Sequence, residues 1–120
     1  MVDLKQLSDS EYFAAVHKRL GMFIGSPSLG KAEAFIQGYR AHAYRHDADV
    51  FDGWHDWMLA RLDGPCCHSW SGIVTHLADG TPCECSNGRP ETDEIETRAI
   101  DLLFELLVEY LGEREANTSS

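Results

Sequence analysis

Basic residues are scarce in this chain. Ten lysines and arginines stand against twenty aspartates and glutamates, a formal net charge of −10 over 120 residues. Nucleic-acid and anionic-membrane binders recruit cationic surfaces, so neither partner is expected. Long hydrophobic runs are missing too, and no apolar stretch approaches the length of a bilayer span. The opening residues, MVDLKQLSDSEY, carry no cationic-then-apolar leader, which points to a cytoplasmic location. Cysteines are few, four in all, and in that compartment they read as thiols rather than as a disulfide framework. No run of residues alternates apolar and polar at period two, so no strand is expected. A complete catalytic motif is lacking as well, and the chain is not expected to be an enzyme.

What is present is helical periodicity. The pattern gives an all-α fold, a single compact bundle of about five helices over residues 1–112, with a polar tail over 113–120 expected to fray. The first helix runs from Asp9 to Leu20, with Ser8 and Glu11 at capping-box spacing and Gly21 as its stop. A second follows Pro27, capped by Ser28, and reaches His46, with Gly38 inside it offering a close helix approach. The third covers Phe51 to Leu62, with Asp49 or Asp52 as its cap, and a short fourth runs from Ser69 or Trp70 to Leu77. The fifth starts at Glu91 behind Pro90, has acids in its first turn, and should stop at Gly112. The expected core contains Phe23, Phe35, Ile36, Tyr39, Trp54, Met58, Trp70, Ile73, Leu103, Leu106 and Tyr110.

The stretch RLGMFIGSPSLG echoes the RPGMYIG step of the ATP-binding fold of type II topoisomerase B subunits. That fold also needs an Asp-Asn pair on the next helix. Here the helix reads KAEAFIQGYRAH, and the nucleotide reading fails. The stretch is better read as a corner between helices, with Met22, Phe23 and Ile24 packed inward and Gly25 relieving the turn.

Two clusters could ligate a metal. Cys66, Cys67, His68, His76, Cys83 and Cys85 lie within twenty residues, but adjacent cysteines do not easily aim both sulfurs at one ion. His42 and His46 share a helix face at i, i+4, followed by Asp47, Asp49 and Asp52, without the twelfth-position glutamate of a calcium loop. No resident metal and no cofactor are expected. The ordinary reading of the Asp47–Asp56 segment is a solvated helix end.

Acidic residues cluster in two places. Asp47, Asp49, Asp52 and Asp56 share one segment with His46, His55 and Trp57. Asp101, Glu105, Glu109 and Glu113 recur every four residues on the last helix, with no lysine among them. Like charges at this spacing cost about 0.2–0.5 kcal/mol per pair in an isolated helix. A solvated face tolerates that through screening. A docking face for a basic partner would exploit it. The first segment is favoured as the contact, because Trp57 falls off the Phe51, Trp54 and Met58 stripe and an aromatic ringed by polar groups suits a binding hot spot.

The order of motifs GMFIGS, LGKAEAFIQGYRAHAY, FDGWHDWMLARL, SWSGIV and ETRAIDLLFELLVEYL resembles small acidic bacterial immunity proteins of polymorphic contact-dependent or type VI toxin systems. The resemblance spans about residues 11–111, and its motifs are mostly core aromatics and glycines. Arg19-Leu20 replaces the usual arginine-proline before Gly-Met, and nothing in the cysteine-rich stretch matches. The resemblance implies a protein that neutralises a cognate toxin domain by occluding its active cleft. The alternative from a different class is a small metal-binding protein or enzyme built on the histidine and cysteine clusters.

Overall fold

A computed structural model describes residues 6–61, 70–80 and 92–118. The described residues form an all-α bundle of six helices: α1 (Asp9–Lys18), α2 (Leu20–Ile24), α3 (Leu29–Arg45), α4 (Trp54–Leu59), α5 (Trp70–Asp79) and α6 (Asp93–Thr118). The centre is α6, on which α1, α3, α4 and α5 all pack. At about 1.5 Å per residue its 26 residues span about 39 Å, close to the longest dimension of the molecule, 40 Å.

The helix starts are set locally. The Ser8 side chain accepts from Glu11 N–H, and the Glu11 carboxylate accepts from Ser8 N–H, closing the capping box. Ser28 accepts from Lys31 N–H, and the free amide of Leu29 donates to the Glu96 carboxylate of α6 at 3.0 Å. That last bond ties the start of one helix to the side of another.

The corner after α1 differs from the sequence reading. Arg19, not Gly21, ends α1, and Gly21 lies inside the extra helix α2. Leu20, Phe23 and Ile24 pack against the core, whereas Met22 is 76% exposed. Three successive helical residues fan over about 200°, so they cannot all face inward. Gly25 closes α2 with φ of 74°. Gly38 makes no close approach, since a Cβ there would meet nothing within 4 Å.

Helix α4 is shorter than expected because a turn precedes it. The Asp49 carboxylate accepts from Phe51 N–H, Trp54 N–H donates to the Phe51 carbonyl, and Gly53 takes φ of 91°. Neither Asp49 nor Asp52 caps α4; Gly53 holds that place without a side-chain bond. The turn still delivers Phe51 to the core, edge-on to Phe13 at 6.3 Å.

Helix α6 does not stop at Gly112 but runs to Thr118. Tertiary bonds beyond the glycine hold it: Glu115 accepts from Ser10 N–H at 3.0 Å and from Ser10 Oγ at 2.6 Å, at the start of α1. Of the expected core, Ile36, Trp54, Met58, Ile73, Leu103, Leu106 and Tyr110 are buried, and Phe23, Phe35 and Tyr39 are half-buried against them. The Trp70 side chain and Cys66, Cys67, His68, Cys83 and Cys85 lie outside the described residues. Phe13, Val16, Phe51, Ile100, Phe104, Leu107 and Leu111 are among the further residues of the core.

Candidate functional site

Helix α4 crosses the C-terminal half of α6, and this crossing joins parts of the two acidic clusters. Trp57 Nε1 donates to Glu113 at 2.7 Å. Arg61, just past α4, donates to Glu109 at 3.3 Å and lays its guanidinium carbon 3.3 Å from the centre of the Trp57 ring. Tyr110 Oη donates to the Asp52 carbonyl at 2.6 Å, and Arg114 reaches the same carbonyl at 3.3 Å. A shallow groove lined by Asp52, Trp57, Tyr110, Glu113, Arg114 and Asn117 runs along the crossing. His55 and Asp56 project from the exposed side of α4.

Trp57 is thus no free-standing anchor. It is half-buried, stacked on Trp54 at 5.7 Å and edge-on to Tyr110 at 5.5 Å. The spacing that put it off the stripe missed that α4 is flanked by α6 on that side.

The remaining candidates sit apart from the crossing. Asp101 accepts from His17 of α1 at 2.8 Å, and that imidazole stacks on Phe104. Asp101 and Glu105 line a second groove, between α5 and α6, together with Leu77, Ala78 and Leu102. His46 and Asp47 are exposed at the end of α3, and Asp49 pairs with Arg40 at 3.6 Å. Three of the four stripe carboxylates on α6 therefore have partners from other elements. Arg61 brings a positive charge to Glu109, and His17 and Trp57 supply hydrogen bonds to Asp101 and Glu113.

Charge is divided along the fold. The first 46 residues carry four acids and six bases, whereas the remaining 74 carry sixteen acids and four bases. The excess therefore belongs to the α4–α6 part of the molecule. The division is readable in the sequence, but its meaning depends on α4, α5 and α6 being packed together.

Among the described residues no three histidines, cysteines or carboxylates are grouped to hold a metal ion. No helix among them is long and apolar enough to cross a membrane. No family model matches the chain, and neither a characterised protein nor a solved structure matches it.

Proposed function

We propose that this chain is a binding protein that docks on a basic protein partner through its α4–α6 side, and that the partner is a toxin domain whose active cleft it occludes. The supporting observation is the charge division: a net excess of acid confined to the part of the chain that forms α4, α5 and α6. Such a face steers a cationic partner and raises the encounter rate. The exposed carboxylates of Asp56 and Glu105, which have no partner among the described residues, are free to meet it. The motif order set out above gives the reading its toxin-directed form.

The test is association kinetics against the product of the adjacent upstream gene. Asp56→Lys combined with Glu105→Lys should lower the association rate by about tenfold or more at low salt and far less at high salt. Dissociation should change little. Rates indifferent to salt and to both reversals would rule out this face, and absence of binding would rule out that partner. Charge reversals are preferred to Trp57→Ala, which would also remove packing against Trp54 and Tyr110.

A further inference from the structure

At the end of α3, His42 and His46 face each other across one helical turn with ring centres 4.5 Å apart and planes tilted by 52°. Both side chains are exposed. A metal–nitrogen bond of about 2.0–2.1 Å places a ligating imidazole's centre about 3.2 Å from the ion. Two imidazoles in neighbouring positions about 90° apart then have centres about 4.5 Å apart, against about 5.2 Å at a tetrahedral angle. The observed spacing matches the right-angled arrangement of a tetragonal ion.

The backbone that carries the pair is fixed. Asp47 N–H donates to the Tyr44 carbonyl at 3.2 Å and Ala48 N–H to the Ala43 carbonyl at 2.8 Å, the paired bonds that close a helix end in a Schellman motif. His46, as the cap residue, is pinned by its own N–H to the Ala43 carbonyl at 3.1 Å. Ligation would therefore order two side chains and leave the main chain unmoved.

We propose that His42 and His46 form a two-point surface site for a divalent transition-metal ion of tetragonal preference, Cu²⁺ or Ni²⁺, with water in the remaining positions. Neutral imidazole suits these ions, and Cu²⁺ binds such nitrogen sites more tightly than Ni²⁺ or Zn²⁺. The site is labile and open, unlike a resident cofactor site. It is independent of the protein-partner reading.

The experiment is calorimetric titration of the full chain with Ni²⁺, after its accessible thiols are blocked with N-ethylmaleimide so that cysteines do not compete. One ion should bind per chain. His42→Ala and His46→Ala should each weaken binding at least tenfold, while His55→Ala should leave it unchanged. In a parallel nuclear magnetic resonance titration, substoichiometric Cu²⁺ should broaden the His42 and His46 ring signals before those of any other histidine. Undetectable binding overturns the proposal, as does full affinity in either variant or prior broadening at another histidine.

Discussion

Asp47 occupies the left-handed position that closes α3, with φ of 56° and no glycine's freedom. Side-chain-bearing residues lose about 1–2 kcal/mol there, and aspartate loses less than most. Asp47→Gly should therefore raise stability by about 0.5–1 kcal/mol, read from the denaturant midpoint at constant slope. No gain would mean that the carboxylate contributes an interaction offsetting the strain. Tyr39 carries a different constraint. It donates to the Asp9 carboxylate, and burial followed by that bond pushes its hydroxyl well above the ordinary 10. Because the folded state holds the proton more tightly, its contribution is intact below pH 10 and fades as the pH rises beyond it. Tyr39→Phe should flatten the alkaline loss of stability, and an unchanged alkaline profile would show that another group controls it. The capping partners Ser8, Glu11 and Ser28 were legible in the sequence because each acts within three residues of itself. Asp47 was not, since aspartate is an uncommon choice where glycine usually signals the closure.

Helices were legible where their signals are local and obscure where distant contacts decide. From α6 the expected core takes only Leu103, Leu106 and Tyr110, yet Ile100, Phe104, Leu107 and Leu111 are buried as well. A helix flanked by α1 and α5 buries a wider arc than a surface helix does. Gly112 looked like a terminus, but the bond from Ser10 to Glu115 lies one turn further on and carries the helix through it. The same reasoning explains the site. Each carboxylate was visible, but the meeting of Trp57 with Glu113 depends on a crossing separated by 56 residues. Both Gly38 and Gly112 now stand in helix interiors with open space around a would-be Cβ. Gly38→Ala and Gly112→Ala should each stabilise the fold by about 0.5–1 kcal/mol. Destabilisation at either, measured by thermal unfolding, would show that the glycine serves a contact the bundle itself does not make.

At the scale of the whole molecule, the chain is electrically lopsided: residues 47–120 carry sixteen of its twenty acids, and eight of those stand on α6 itself. Screening should therefore matter to the α4–α6 side more than to α1–α3. The central position of α6 also fixes an order of events during translation. The ribosome makes α1 through α5 before the helix on which four of them rest, so Phe13, Phe51 and Trp54 emerge without their final cover. The contacts between α1 and α6 join segments more than 70 residues apart, a long loop to close for a helical protein. A nascent chain stalled before α6 leaves the tunnel should be cut readily by protease. One stalled after α6 is free should resist, and early resistance would show that α1–α5 can settle alone. Until that moment the growing polypeptide is a client for chaperones, and eight of its twenty acids arrive only with α6, so the charge that keeps the chain dispersed and the helix that covers its core are delivered together.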